Sequence, residues 1–183
     1  MTDLEQLIAL LAAQSVKRGD FVLSSGRRSD LYVDARMTTM HPRGLALIGP
    51  LGLAAMSAAG WDAESVGGLT LGADPIAYAI AYASAIAGRP IRAFTVRKEA
   101  KTHGTGKRIE GPFQSGDRVV VIEDSVTSGA SALNAVAAVR AQGGRVLGVL
   151  ALVDREEGGR KAIEAEGVSL QTLVTRAQLL AHS

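Results

Sequence analysis

The sequence has no cysteine among its 183 residues, which excludes a disulfide scaffold, thiolate zinc sites, iron–sulfur ligation and a cysteine nucleophile. A thiol-free chain suits a reducing compartment, and the expected localisation is cytoplasmic. Its three histidines, His41, His103 and His182, are too scattered for a metal motif. It lacks a charge excess of either sign, with 20 Lys+Arg against 18 Asp+Glu, so overall charge carries no nucleic-acid signature and any basic site must be local. The one long uncharged run, Gly44 to Trp61, is interrupted by Gly49, Pro50, Gly52 and Gly60 and is rich in alanine, which reads as a buried helix rather than a membrane span. Asp3 and Glu5 stand where a signal peptide would be positive, so the N-terminus reads as a mature amphipathic helix.

What is present is apolar and rich in glycine: 47% hydrophobic residues and 21 glycines. A chain of this length buries roughly 70% of its unfolded surface and needs no staple, so residues 1–183 are expected to form a single domain, an N-terminal helix and hairpin hood over 1–40 and a core over 41–183. Leu4, Leu7, Ile8 and Leu11 at helical spacing behind Asp3 as cap predict a first helix ending near Gly19. Phe21–Leu23 and Leu31–Asp34 predict a hairpin turned by Ser24, Ser25 and Gly26. A helix over Pro42–Ala59, a strand around Val66, a helix capped by Asp74 and closing at Gly88, and a strand over Ile91–Val96 follow. Arg118–Ile122 and Val146–Val153 are continuous β-branched or aliphatic runs of the kind buried on both faces of a parallel sheet, with a helix over Ser131–Gln142 between them. Ile163, Leu170 and Leu173 suggest a last helix and an edge strand. The alternation predicts a doubly wound α/β fold, with a mostly parallel sheet, helices on both faces, a small hairpin hood and one long loop over 97–116.

In such a sheet, ligands bind beyond the carboxyl ends of the strands. The segment Glu123-Asp124-Ser125-Val126-Thr127-Ser128-Gly129-Ala130-Ser131 leaves a buried strand and enters a helix through small, hydroxylated residues. Consecutive backbone N–H groups there can converge on a phosphate at the positive end of the helix. The two adjacent carboxylates suit hydroxyl donors or a divalent ion held at a distance, and a phosphate at one end with a diol at the other describes a ribose 5-phosphate. The competing reading is a plain helix cap and a solvated strand end. The segment is neither a Walker loop nor a dinucleotide fingerprint.

Between Arg97 and Gly111 lie five basic residues (Arg97, Lys98, Lys101, Lys107, Arg108) against Glu99 and Glu110, with His103 and three glycines. This is a cationic flap suited to a second anionic group such as diphosphate, or else a solvated charged loop. Val66-Gly67-Gly68-Leu69-Thr70-Leu71-Gly72-Ala73-Asp74-Pro75 offers a further glycine-rich turn whose N–H groups can face an anion.

Together, Glu-Asp-x-x-Thr-Ser-Gly-x-Ser after a β-branched strand resembles the 5-phosphoribosyl-1-diphosphate (PRPP) motif of type I phosphoribosyltransferases. The run Arg-Lys-x-x-Lys-x-His-Gly, followed by Gly-Lys-Arg-Ile-Glu-Gly, resembles the flexible loop of the orotate phosphoribosyltransferase family. Ser25-Gly26-Arg27-Arg28-Ser29 with Tyr32-Val33-Asp34 resembles its N-terminal hairpin. The resemblance, from about Phe21 to Arg155, implies Mg²⁺-dependent transfer of ribose 5-phosphate from PRPP to orotate, giving orotidine 5′-monophosphate and diphosphate in de novo pyrimidine synthesis.

By the same resemblance, Thr127–Ser131 hold the 5′-phosphate within a PRPP segment that also includes Ser125 and Val126. Glu123 and Asp124 meet the ribose hydroxyls. Arg97, Lys98, Lys101 and His103 meet diphosphate, with Lys101 and His103 as the catalytic pair. Thr127 and Arg155 are implied orotate contacts, Arg155 pairing with the carboxylate. Magnesium is implied to arrive on PRPP with no direct protein ligand, and the partner to be a second copy whose flexible loop completes the site; neither nucleic acid nor membrane is implied. Two positions depart from the pattern, Ser24 and Leu71 standing where some branches of the family place lysine. A phosphoribosyltransferase for another base would keep the cradle without the Arg155 pair. A PRPP-binding regulator would add a helix-turn-helix or a basic face outside the flap, and the sequence has neither.

Overall fold

In the computed structural model, residues 1–22, 28–99 and 108–182 are described. Helix α1 spans Asp3–Gln14, and its cap is Thr2 rather than Asp3: the Thr2 hydroxyl accepts from the Glu5 N–H at 3.2 Å while the Glu5 carboxylate accepts from the Thr2 N–H at 2.7 Å. The helix stops well short of Gly19 because the hairpin begins at once. Strands β1 (Val16–Val22) and β2 (Arg28–Val33) pair antiparallel, with a bulge between Arg18 and Phe21, and are longer than the sequence suggested. The predicted turn residues Ser24, Ser25 and Gly26 lie outside the described residues.

A short α2 (Arg36–Thr39) precedes α3 (Pro42–Ala58), which stays one helix through Gly49, Pro50 and Gly52. The glycines explain its packing against α4 (Ala73–Ile86): a Cβ on Gly49 would reach the Ala79 carbonyl, and one on Gly52 the Ile80 side chain, so the two helices approach backbone to side chain. The cap of α4 is Gly72, which has no side chain, so Asp74 lies inside the first turn and is free for other partners. Among the described residues, no helix is long and apolar enough to cross a membrane.

The remaining strands are β3 (Ser65–Leu69), β4 (Arg92–Val96), β5 (Ile109–Glu110), β6 (Arg118–Val126), β7 (Arg145–Asp154) and β8 (Leu170–Thr175). They form one sheet in the order β5-β4-β3-β6-β7-β8, parallel except for the β4–β5 pair. Helices α5 (Ala130–Ala141), α6 (Gly159–Ala165) and α7 (Arg176–His182) complete the chain. The short α2, α7 and β5 carried too little periodicity to be foreseen.

The β6 and β7 runs serve two cores. Val120, Ile122, Leu150 and Leu152 pack with Leu7, Ile48, Ile80 and Leu179 on one face, whereas Val119, Val121, Val149 and Ala151 pack with Ala135, Val139 and Ile163 on the other. This period of two on both faces is why the strands read as continuous apolar runs. Each fully buried Val, Ile or Leu contributes roughly 1.5–3 kcal/mol of transfer free energy, so the centre of the sheet is the rigid platform of the molecule. The chain leaves β3 toward β4 and returns to β6 on its other side, which places the topological switch between β3 and β6.

Candidate active site at the strand switch point

The carboxyl ends of β3 and β6 open into a cleft of about 580 Å³ that is lined by Thr70, Leu71 and Gly72, by Glu123, Asp124 and Ser131, by Lys98, and by Tyr32–Arg36 from the hood. Strand β6 runs four residues beyond Ile122, pairing Ser125 with Val153 and Val126 with Asp154, so the two carboxylates belong to the strand and not to the loop after it. Sheet pairing fixes their backbone, and Glu123 is consequently buried, at 7% exposure. Burial, and then the hydrogen-bonded negative neighbour Asp124, push the Glu123 carboxyl up to about 9. Asp124 is half-buried, and its Oδ1 accepts from the Ser125 N–H at 2.8 Å. Its carboxylate occupies the space that a Cβ on Gly72 would need, so the β3 turn and the acidic pair touch only because residue 72 is glycine.

After β6 the backbone turns through Thr127, Ser128 and Gly129 into α5. Gly129 is the N-cap, with φ 83° and no side chain to bond the helix, so the plain cap read as the alternative for this segment is not built. The nearest approach to one is a long 3.4 Å bond from the Ala130 N–H to the Ser128 hydroxyl. Ser128, Ala130 and Ser131 are exposed, and the first N–H groups of α5, which lack intrahelical acceptors, open to solvent with the positive end of the helix. The turn rests closely on Gly159, where a Cβ would meet the Thr127 carbonyl at 2.6 Å and the Gly129 nitrogen at 2.9 Å. Val126 is buried, its side chain packed against Gly159 beneath the turn.

The turn after β3 is pinned by Asp74. The Thr70 hydroxyl donates to Asp74 Oδ2 at 2.7 Å and the Thr95 hydroxyl to Oδ1 at 2.9 Å, while Tyr78 Oη lies 3.0 Å from Thr95 Oγ1. On the hood side, Arg36 grips Asp34 with two bonds of 2.8 and 3.0 Å and holds its carboxyl below the usual range. Arg36 also faces the field of Asp124 across the cleft.

The two ends of the cationic segment are joined. The Arg97 N–H donates to the Arg108 carbonyl at 2.8 Å, and the Arg108 guanidinium bonds the Arg97 carbonyl at 2.9 Å and Asn134 Oδ1 on α5 at 2.6 Å. Arg97 pairs with Glu110 at 3.6 Å, and Lys98 enters the cleft lining. Lys101 and His103 lie outside the described residues. Arg155 sits just beyond β7, its N–H donating to the Val126 carbonyl at 2.9 Å; its buried guanidinium pairs with Glu157 at 3.0 Å and is not among the cleft-lining groups.

The structure thus brings Lys98, Glu123, Asp124 and Ser131 into one cleft, with Arg97 next to Lys98 in the chain and Arg155 bonded to the end of β6 at Val126. Sequence reasoning missed the roles of Arg36, Asp74, Thr95 and Asn134, all polar residues whose partners are brought in by the fold, and read Arg108 only as a flap cation. Asp74 carries a local signal in Thr70, four residues before it, but its place before Pro75 equally fits a cap. Among the described residues, no three carboxylate or imidazole side chains gather as a metal cluster.

No protein-family model matches the chain. A curated orotate phosphoribosyltransferase of Mycobacterium avium (strain 104) is 51% identical over 177 residues, covering 97% of this chain and 96% of that one. One from Aquifex aeolicus (strain VF5) is 49% identical over 183 residues, covering 98% and 99%. The crystal structure of Mycobacterium tuberculosis H37Rv orotate phosphoribosyltransferase in complex with PRPP superposes with a TM-score of 0.83 at 47% identity, covering 97% of this chain and 99% of that one. An adenine phosphoribosyltransferase from Leishmania tarentolae shares the fold alone, with a TM-score of 0.66 at 15% identity. With half of its residues identical over nearly the whole length of such relatives, the chain belongs to the orotate phosphoribosyltransferase family.

Proposed function

We propose that the chain works as a single unit, transferring ribose 5-phosphate from PRPP to orotate and releasing diphosphate, as the step that yields orotidine 5′-monophosphate in cytoplasmic pyrimidine synthesis. The observation that carries this reading is the meeting, at one switch point, of an uncapped helix N-terminus, an adjacent carboxyl pair and a glycine turn. In that reading the N–H groups over Thr127–Ser131 hold the 5′-phosphate, with Ser125 and Val126 contributing backbone. Glu123 and Asp124 engage the ribose hydroxyls. The turn Thr70–Gly72 with Arg97, Lys98, Lys101 and His103 receives diphosphate, and Thr127 and Arg155 are the orotate contacts.

The chemistry requires little from acids and bases. As the bond to diphosphate breaks, positive charge grows on the sugar and negative charge on the leaving group, so preorganised charge and positioning supply most of the acceleration. The cations near Lys98 favour the leaving group, and the acidic Glu123–Asp124 pair lies beside the sugar. Mg²⁺ binds mainly through substrate phosphates and water, with few protein oxygens; a site that offers cations and N–H groups to the diphosphate suits a Mg²⁺ ion that arrives on PRPP and neutralises the leaving charge. Tyr78, Tyr82 and Ile86 stand exposed at intervals of four on α4, an apolar row suited to a second copy of the chain as partner in a homodimer.

The test is orotate absorbance on adding PRPP and Mg²⁺, with adenine, hypoxanthine, xanthine and uracil in parallel. Consumption of orotate alone is expected. Turnover of another base would overturn the base assignment, and PRPP binding without any turnover would overturn the enzymatic reading.

A further inference from the structure

The β3 turn in the cleft has no cationic side chain of its own, because Leu71 is its exposed residue. An anion at this turn is therefore met by backbone N–H groups other than that of Thr70, which donates to the Val96 carbonyl at 2.9 Å, and these are useful only if the turn is held in place. Its neighbours supply that hold from two directions. Gly72 lies against the Asp124 carboxylate, which limits movement toward β6. Asp74, in the first turn of α4, takes a hydrogen bond from the β3 turn through Thr70 and another from β4 through Thr95.

The proton order in this chain follows from donor counts. A carboxylate offers only acceptors, so Thr70 and Thr95 each spend their single hydroxyl proton on Asp74; Tyr78, 3.0 Å from Thr95, must then be the donor to it. Three hydroxyls therefore point the same way toward one carboxylate, and both Asp74 oxygens are used. The network joins the turn, the strand that leads to Arg97 and Lys98, and the outer face of α4.

We propose that Asp74 is a positioning residue for the diphosphate end of PRPP, fixing the Thr70–Gly72 turn through the Tyr78–Thr95–Asp74–Thr70 chain so that backbone groups do there what a lysine side chain would otherwise do. The proposal rests on the functional reading above, in which this turn receives diphosphate. It assigns to Asp74 no contact with substrate. Loosening the network weakens diphosphate and PRPP, whose binding uses the turn, and leaves orotate nearly untouched.

The test compares D74N, T95V and T95S with the unmodified protein, measuring KM for PRPP and for orotate, and calorimetric binding of Mg²⁺-diphosphate. D74N keeps the size but replaces one acceptor with a donor that faces a hydroxyl, and a lost bond to a charged group predicts about a tenfold rise in PRPP KM and diphosphate Kd. T95V, which breaks the middle of the chain, is expected to give roughly a threefold to tenfold rise, and T95S, which restores the hydroxyl, to return the values to those of the parent. Should D74N fail to fold, the T95V and T95S pair decides alone. Equal changes in PRPP and orotate KM, T95S behaving as T95V, or an unchanged diphosphate Kd in T95V would overturn the proposal. Failure of the unmodified protein to bind Mg²⁺-diphosphate would overturn the underlying functional reading instead, and this proposal with it.

Discussion

Replacing Glu123 by glutamine tests whether the buried carboxyl of the acidic pair is held protonated. Glu123 is buried beside Asp124, and its pKa is raised from 4.5 to about 9 in the folded chain. Between those values the folded protein binds one proton more than the unfolded chain. The stabilising contribution is therefore complete below about pH 4.5, declines as pH rises through the window, and is gone above about 9. One proton corresponds to a slope of at most about 1.4 kcal/mol per pH unit. For a chain of this size that is a fall of roughly 3–5 °C in Tm per unit from this group. Glutamine keeps the shape and a hydrogen-bond donor toward Asp124 but cannot ionise. Thermal melts of both proteins between pH 6 and 8.5 at constant ionic strength should then diverge, with E123Q gaining on the parent as pH rises. Parallel curves would refute the reasoning, since a Glu123 already ionised at pH 6 would add no slope.

Three further outcomes are expected. Lys101→Ala should leave the melting temperature within a degree or so and lower kcat by on the order of 2–4 kcal/mol of transition-state stabilisation; an unchanged turnover number removes Lys101 from the mechanism. Arg155→Ala should raise the orotate KM far more than the PRPP KM, and equal changes would argue against a carboxylate contact. Gly72→Ala places a methyl group on the Asp124 carboxylate, and such overpacking costs roughly 1–3 kcal/mol. It should weaken PRPP binding in titration calorimetry, and unaltered affinity would show that the turn and the acidic pair do not need their close contact.

The sheet was legible because β6 and β7 are apolar on both faces, a pattern that the two cores on either side of Val120 and Val121 reproduce. The turn from β6 into α5 was legible because small and hydroxylated residues follow such a strand. Strand ends were not. Glu123 to Val126 looked like loop because carboxylates are poor strand formers, yet pairing with Ala151, Val153 and Asp154 outweighs propensity. Asp74 looked like a cap because it precedes Pro75; the partners that claim it, Thr70 and Thr95, depend on β3 and β4 lying side by side. Arg108 and Asn134 stand 26 residues apart, and no local pattern joins them.

That joining fixes a radius. Since Arg97 and Arg108 hold one another's backbone, the ten residues between them leave from and return to the same point. Lys101 is four residues from one end, so its Cα stays within ~14 Å of the joint at full extension. His103, five residues from the other end, stays within ~18 Å. This leash of ten residues thus bounds, by chain length alone, how far either residue lies from that joint. Doubling its length would cost only ~0.6 kcal/mol in closure entropy, so the fold tolerates a longer leash easily, and it is reach rather than stability that a change in length would alter.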